Sequence, residues 1–531
     1  MPAPVEDVDP LAIEDAIGGR GLPLVDVASI IRQQRGVSDD VIAVKEADYS
    51  GTYRELDERS SQVANALAAD GVGPGDRVAI FSANNHYFME LVYGAAKIGA
   101  VAAPINTRLA EKEVRALMRT CEPKVLFVGE AEQPAAPSSD QVPGLVRLLD
   151  AESYEQYISQ HPATDPGYEA DPDDLAVLLF SSGTTGLPKG IQLTGRNFTA
   201  NLSPLPEREH EGHITAMAPV PFFHVTGLTT ALGYGNKGAT LILQLPTSPS
   251  DLMRLLLEEK VTHAVGVPTI IQMLTQLPEA KEADWSHLHT FGYGGAPMPL
   301  PVIHAAHEIL GCDLMQGYGL TETTAAVTAL FPEDHIPTPG REKQVGSVGR
   351  ALPGVELKIV DPATGDELPV GGRGEVWVRG PRVTRGYWNR PEENAKAFSD
   401  GGWFATGDGG SLDEEGFLYL HDRIKDMIVT GAENVYPAEV ESTLTAHPAI
   451  AEVAVIGVPS QKWGESPYAI AVCRPGADLS ADELIAWCRE QIAHYKCPVG
   501  VAFVDVLPRN PNGKLLKRVL REQYGATPAP N

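Results

Sequence analysis

The stretch Leu178–Gly190 reads "LLFSSGTTGLPKG" and leads from an apolar run into a loop rich in hydroxyl groups and glycine. The run "LAVLLF" at its start predicts a buried strand, and "GIQLT" after it predicts a second strand. A Walker loop needs G-x-x-x-x-G-K-[ST] with its lysine entering a helix, whereas here two residues separate Gly186 from Lys189. The loop therefore joins two strands, and its N–H groups, hydroxyls and lysine are suited to binding phosphate.

Strands and helices alternate on both sides of this loop. Thr52 and Glu55 form a capping box at the start of a helix that ends at Gly71, and Arg77–Phe81 is then a strand. Similar units continue to "KVLFV", and the pattern returns from "THAVGV" to "CDLMQGYG". Such repeated βαβ units predict parallel sheets covered by helices.

The pattern of predicted secondary structure changes after residue 355. Short strands separated by turns between Val355 and Leu420 predict a small antiparallel or barrel-like subdomain. A smaller mixed unit follows Arg423, and its helix is opened by a capping box from Ser480 to Glu483. The predicted fold class is therefore α/β, with two βαβ-type sheets, a small β-barrel-like subdomain and a smaller α+β domain at the C-terminal end.

Composition excludes several classes of protein. The 531 residues are 43% hydrophobic and 21% charged, as in globular domains, and the net charge of −28 argues against a nucleic-acid or anionic-membrane partner. The five cysteines form no C-x-x-C pair, so neither a zinc site nor a disulfide framework is indicated. The start "MPAPVEDVDP" is unlike a signal peptide, and no apolar run reaches ~18 residues. We expect a cytoplasmic protein without a membrane span.

The stretch "SSGTTGLPKG" resembles the phosphate-binding signature of the adenylate-forming superfamily, which includes acyl-CoA synthetases, peptide-synthetase adenylation domains and firefly luciferases. The resemblance extends in the right order from about Thr52 over nearly the whole chain, so the chain is identified as a member. The further motifs are "VPFFHVTG" with His224, "GYGGAP" with Pro297, "QGYGLTET" with Glu322, "WFATGD" with Asp408, "DRIKDMIVTGAENVYPAEVE" over Asp422–Glu441, and "LPRNPNGKLLKR" with Lys514.

The resemblance implies a two-step reaction. A carboxylate attacks the α-phosphate of ATP and expels pyrophosphate, and the acyl group then passes to CoA. Because both reactants of the first step are anions, charge must be neutralised where it accumulates. The implied metal is Mg²⁺, held by Glu322 with Thr321 beside it. The implied catalytic residues are Lys514, Glu322, His224, Thr185 and Lys189.

The implied ATP site draws on several motifs. The phosphate loop surrounds the leaving phosphates, "GAP" forms a shelf for adenine with Tyr318 as its stacking face, and Asp408 binds the ribose hydroxyls with help from Arg423. The full set is Ser181, Ser182, Gly183, Thr184, Thr185, Gly186, Lys189, Gly295, Ala296, Pro297, Gln316, Gly317, Tyr318, Thr321, Asp408, Arg423, Asn434 and Lys514.

The resemblance also sets expected domain boundaries. It implies an N-terminal adenylation domain over residues 1–422 and a mobile C-terminal domain over residues 423–531, with Lys425 as the hinge. Gly431 and Ala432 then lie on the CoA side. In many fatty-acid members the corresponding turn reads G-G-E-N, so Ala432 replaces a glycine and adds a methyl group to the CoA tunnel.

The acid is expected to be a plain carboxylic acid, because "VPFFHVTG" lacks the aspartate that amino-acid-activating domains usually place there. A fatty acid is favoured, with an aryl-CoA ligase of the coumarate or benzoate type, or an acyl-AMP ligase or amide synthetase, as alternatives. The intact set Lys189, Glu322 and Lys514 argues against a non-enzymatic nucleotide-binding relative. The partners are then the acid, ATP and CoA, and a homodimer stays open. The candidate acyl-pocket residues are Phe222, Phe223, Thr226, Gly294, Gly319, Thr324 and Ala325.

Overall fold

The structure is a computed structural model, and the chain divides into two compact units. The first comprises Met1–Leu357 and Val378–Phe404, and the second comprises Lys358–Trp377 and Ala405–Asn531. The residues that the structure describes are 26–181, 188–202, 212–296, 298–336, 343–423, 426, 428–430, 433–435, 437–460, 464–492, 494–509 and 515–525; the side chains of 422, 423, 429, 433, 434, 464 and 495 are not described.

Strands make up four sheets in the described residues. In chain order they are β1 (Ile42–Lys45), β2 (Ser50–Thr52), β3 (Arg77–Phe81), β4 (Val101–Pro104), β5 (Val125–Val128), β6 (Arg147–Leu149), β7 (Leu175–Ser181), β8 (Lys189–Thr194), β9 (Thr215–Met217), β10 (Thr240–Ile242), β11 (His263–Gly266), β12 (Thr290–Gly294), β13 (Asp313–Leu320), β14 (Ala325–Leu330), β15 (Arg350–Ala351), β16 (Glu356–Val360), β17 (Gly374–Arg379), β18 (Phe398–Ser399), β19 (Trp403–Leu412), β20 (Leu418–Arg423), β21 (Ile428–Thr430), β22 (Glu433–Val435), β23 (Ile450–Ser460), β24 (Gly464–Cys473) and β25 (Val501–Phe503).

Most of the α-helices of the described chain lie between successive strands. They are α1 (Val27–Arg32), α2 (Tyr53–Ala69), α3 (His86–Ala96), α4 (Glu111–Cys121), α5 (Ala151–Ser159), α6 (Gly195–Leu202), α7 (Val225–Asn236), α8 (Pro249–Glu258), α9 (Pro268–Gln276), α10 (Leu300–Ile309), α11 (Pro391–Ala397), α12 (Pro437–Thr445), α13 (Ala481–Gln491) and α14 (Lys517–Tyr524). None of them combines the length and apolar character that a membrane crossing requires.

A six-stranded sheet carries the predicted phosphate loop. Its order is β6-β5-β3-β4-β7-β8, parallel up to β7, with β8 added antiparallel at the edge. The strands are apolar on both faces, since Val78–Phe81 and Val125–Val128 are all buried. Helices on both sides explain that pattern. Strand β7 is largely buried and ends at Ser181, where the predicted phosphate loop begins.

A nine-stranded sheet of order β15-β14-β13-β12-β11-β9-β10-β1-β2 forms the rest of the first unit's framework. It is parallel from β1 to β13 and antiparallel at β2, β14 and β15. The candidate nucleotide and metal motifs follow β12 and β13. In parallel α/β sheets, ligands bind beyond the carboxyl ends of the strands.

The remaining strands form two five-stranded sheets. In one, of order β16-β17-β19-β18, β20 also pairs with β19, and the β18–β19 and β19–β20 pairs are antiparallel. In the other, β22-β21-β24-β23 with β25, the helices α12 and α13 pack over an apolar core. That second sheet belongs wholly to the second unit.

The structure confirms the predicted α/β fold class, with its larger N-terminal part and smaller C-terminal part. The capping boxes at Thr52 and Ser480 are both present. The expected boundary at residues 422 and 423 stays a prediction, and the expected hinge, Lys425, lies outside the described residues.

Candidate active site

The phosphate-loop motif sits at the end of a β-hairpin. Strands β7 and β8 are antiparallel, and Ser181 pairs with Lys189 at the point where the loop begins and ends. The loop residues Ser182, Gly183, Thr184, Thr185 and Gly186 lie outside the described residues. The described part therefore fixes the two ends of the loop, and it directs Lys189 to one side of the hairpin.

Lys189 meets an aromatic ring that the sequence motifs did not single out. Its Nζ lies 4.5 Å from the centre of the Tyr387 ring. The hydroxyl of the same tyrosine donates a hydrogen bond of 3.0 Å to Glu322 Oε1. Tyr387 thus joins the phosphate-loop lysine to the expected metal ligand. No local signal in "TRGYWN" could have revealed this, because Glu322 lies 65 positions away along the chain.

Glu322 occupies a short 3-10 turn, Thr321–Thr323, directly after β13. The backbone N–H of Thr384 donates to its carbonyl at 2.7 Å, so both backbone and carboxylate are held by the same neighbouring segment. The two residues that follow the turn, Thr324 and Ala325, have φ of +51° and +69°. Non-glycine residues in this region are strained and need support from their surroundings.

That support comes from side chains around the turn. Thr323 Oγ1 donates to Ala325 O at 2.8 Å, Asn201 Nδ2 donates to Thr324 O at 2.6 Å, and Thr324 Oγ1 donates to Arg382 O at 2.8 Å. The Arg382 side chain is itself 2% exposed and donates to Ala326 O at 3.1 Å. Burial lowers the pKa of Arg382 to about 10. The turn that carries Glu322 is therefore fixed from three sides.

The expected adenine shelf lies between two parallel strands. Gly294 of β12 pairs with Gly317 of β13, and a Cβ on Gly294 would lie 2.5 Å from Gly317 O. Gly295 has φ of +79°, and Ala296 is exposed, whereas Pro297 lies outside the described residues. Glycine is required here because the two backbones approach so closely.

The second strand of the shelf carries Gln316 and Tyr318, which are both buried. Behind Gln316, the Tyr293 hydroxyl lies 2.9 Å from His335 Nε2, and His335 Nδ1 lies 2.8 Å from Phe331 O. Since a carbonyl can only accept, Nδ1 carries the proton and Nε2 accepts from the tyrosine. Burial lowers the pKa of His335 to about 4.

The expected acyl-pocket residues fall into different surroundings. Phe222 packs edge-on against Phe88 in the core, with ring centroids 5.4 Å apart, which favours a packing role. Phe223 contacts the ring of His224 at 4.7 Å, and His224 directly precedes α7. The Thr324 side chain is fully buried against Arg382 O.

The other expected pocket residues are smaller. Thr226 and Ala325 are half-buried, as are Gly294 and Gly319. A Cβ on Gly319 would lie 1.7 Å from Ala325 O, so glycine is needed there for backbone packing. The assignment of all seven residues to an acyl pocket stays a prediction.

The ribose motif lies in the second unit. Asp408 of β19 pairs directly with Arg423 of β20, and Asp408 N donates to Thr406 Oγ1 at 3.1 Å. Asn434 lies in β22 opposite Val429. Lys425, Gly431, Ala432 and Lys514 lie outside the described residues. The roles expected for all these residues therefore stay predictions.

The carboxylate of Glu322 suits a hard cation that also binds phosphate oxygens. In the described part of the chain, no group of three or more His, Cys, Asp or Glu side chains could hold a metal. Glu322 Oε1 accepts from Tyr387, which leaves Oε2 for a ligand. Magnesium is commonly bound by one or two carboxylates together with substrate phosphates and waters. Glu322 fits that pattern.

Comparisons with known proteins agree with the geometry. The family model described as AMP-binding enzyme matches residues 31–388, and its C-terminal domain model matches residues 439–514. The chain belongs to the AMP-binding enzyme family. It is accordingly an AMP-forming acid–CoA ligase, and the predicted superfamily and activity are confirmed.

Individual relatives share nearly the whole chain. The long-chain-fatty-acid–CoA ligase FadD13 of Mycobacterium tuberculosis is 39% identical over 94% of this chain and 98% of its own. A feruloyl-CoA synthase from Amycolatopsis is 36% identical over 93% and 98%. The crystal structure of ATP-bound MatB from Rhodopseudomonas palustris superposes with a TM-score of 0.86 at 32% identity, covering 94% of this chain and 99% of that one.

Proposed function

We propose that this acyl-CoA synthetase activates a fatty acid in the cytoplasm, with Mg²⁺ as the metal. The observation that carries the proposal is the placement of Lys189 and Glu322 on the ring and hydroxyl of one tyrosine, Tyr387. A cation and a carboxylate held in this way suit a triphosphate and its metal. The 39% identity with a long-chain-fatty-acid–CoA ligase supports the choice of acid.

In the first step a carboxylate oxygen of the acid bonds to the α-phosphorus of ATP, and the bond to pyrophosphate breaks. Lys189 binds the departing phosphates and neutralises the charge that develops on them. Magnesium, held by Glu322, would supply further neutralisation of the same charge. Lys514 would place a second cation between the acid and the α-phosphate.

In the second step the CoA sulfur bonds to the acyl carbon, and the bond from that carbon to the AMP oxygen breaks. The thiol proton is released to solvent or to a nearby base. Gly431 and Ala432 are proposed to line the CoA path. A domain boundary near residues 422 and 423, with Lys425 as hinge, would let the proposed C-terminal domain, residues 423–531, serve both steps in turn.

A second candidate is an aryl acid, which the 36% identity with a feruloyl-CoA synthase favours. The test is a pyrophosphate-release screen over saturated acids of graded length and over cinnamic and benzoic acids, with and without CoA. We expect the highest kcat/KM for an aliphatic acid, with turnover dependent on CoA. The highest kcat/KM for an aromatic acid would replace the fatty-acid assignment.

A further inference from the structure

We propose that Tyr387 is a positioning residue that holds Lys189 and Glu322 apart and in fixed orientation, ready for a metal-bound triphosphate. The proposal rests on the proposed function of these two residues. It assigns to Tyr387 a role in metal and nucleotide binding that neither the phosphate-loop motif nor the "GLTET" motif contains.

The contacts of the side chain carry the argument. The ring, in a residue 7% exposed, presents its face to Lys189 Nζ at 4.5 Å, and the hydroxyl donates to Glu322 Oε1 at 3.0 Å. An ammonium over a ring face is attracted by the ring quadrupole. A hydrogen bond to one carboxylate oxygen fixes the plane of the carboxylate and leaves the other oxygen for a cation.

The spacing of the two charges matters as much as their orientation. Lys189 and Glu322 have opposite charges, yet within the described chain no ion pair joins them. A direct pair would occupy both groups and would have to break before a triphosphate and its metal could bind. With the tyrosine between them, each charge stays in the site and is directed toward a ligand.

The backbone of Tyr387 is anchored firmly enough for this role. Trp388 N donates to Gly190 O at 2.7 Å, which ties the segment to the lysine-bearing strand β8. Asn394 Oδ1 accepts from Tyr387 N at 2.7 Å, and Asn394 Nδ2 donates to Tyr387 O at 3.0 Å. On the other side, Thr384 N donates to Glu322 O. One short segment therefore connects both predicted ligand groups.

The test separates the hydroxyl from the ring. Tyr387→Phe keeps the ring under Lys189 and removes the hydroxyl that donates to Glu322. Loss of such an outer partner typically weakens metal binding by about 10- to 100-fold. We expect Mn²⁺ binding to the ATP-bound enzyme, followed by electron paramagnetic resonance, to weaken by about 10-fold, while metal-free ATP binding measured by calorimetry stays within about twofold. Tyr387→Leu should weaken metal-free ATP binding as well.

Tyr157→Phe is the matched control, because it removes a hydrogen bond of 2.9 Å from a tyrosine to Asp70. It should leave both binding constants unchanged. Unchanged Mn²⁺ binding in folded Tyr387→Phe, or a loss of thermal stability without any change in binding, would overturn the positioning role. Both measurements omit the acid and CoA, so their result does not depend on which acid is the substrate. If wild-type enzyme bound ATP and Mn²⁺ but used no fatty acid, only the proposed substrate would fail.

Discussion

Ser181 and Lys189 pair directly across the antiparallel strands β7 and β8, and the phosphate loop spans the gap between them. The hairpin therefore places the lysine at the base of the loop. In a Walker loop, by contrast, the lysine lies at the start of a helix. We expect Lys189 to act as a charge at this position, and we propose that the loop supplies N–H groups and hydroxyls to the phosphates.

Replacing that charge should impair the first step. Lys189→Met keeps a flexible apolar side chain over the Tyr387 ring but removes the ammonium. Removing one preorganised charge at a phosphoryl centre commonly costs about 10²–10³ in rate. We expect kcat/KM for ATP, measured by pyrophosphate release, to fall by that amount.

Lys237→Met is the control, since Lys237 also lies over a ring, that of Tyr234, at 5.5 Å. Equal activity of the two variants would refute the role of Lys189.

The acyl pocket is tested at Phe223, which contacts His224. Phe223→Ala enlarges the expected pocket and should shift the preference toward longer or bulkier acids. Discrimination per methylene in an apolar pocket is about 1–3 kcal/mol, so ratios of kcat/KM between neighbouring acids should change by about 10-fold or more. Phe127→Leu, which removes a core ring packed edge-on against Tyr154, should lower the unfolding midpoint without changing these ratios. An identical chain-length profile in Phe223→Ala would remove this residue from the pocket.

Stability should depend on the protonation of His335. Its folded pKa is about 4, below the ordinary 6.5, because the ring is buried. Between these values the unfolded chain binds a proton that the folded chain does not, so the free energy of unfolding falls as pH falls from 6.5 to 4. At pH 5 the loss amounts to about 2 kcal/mol.

His335→Gln should lose less stability than wild type between pH 7 and pH 5 in urea titrations. The exposed His304→Gln should behave as wild type; a His335 variant with the wild-type pH dependence would contradict the assignment.

Local signals predicted much of the fold. The strand Arg77–Phe81 was predicted with its exact bounds, and the capping box at Thr52 marked the start of a helix, because both depend on neighbouring residues. Strands β1 and β2 were not predicted, since β1 is defined by pairing Val44 with Leu241, far along the chain. Tyr387 was missed for the same reason. Its role arises from contacts with Lys189 and Glu322, which only the folded chain brings together.

Single substitutions should impair one half-reaction and leave the other intact. Lys514→Ala should reduce adenylate formation by about 10²–10³ and leave thioester formation from supplied acyl-adenylate near the wild-type rate. Lys425→Pro, which fixes φ at the expected hinge, should show the reverse pattern. Single-turnover assays of each half-reaction decide the matter. If Lys514→Ala slowed both steps equally, the proposed alternation of the C-terminal domain, residues 423–531, about Lys425 would be wrong.

The most direct test of the central claim follows oxygen atoms from the acid. A fatty acid labelled with ¹⁸O in both carboxylate positions is turned over with ATP and CoA. The ¹⁸O content of each product is then measured by mass spectrometry. Because the acid oxygen bonds to the α-phosphorus and the acyl–oxygen bond later breaks, one ¹⁸O should appear in AMP and one in the acyl-CoA, with none in pyrophosphate. Unlabelled AMP, or ¹⁸O in a phosphate released with ADP, would contradict an AMP-forming acyl-CoA synthetase.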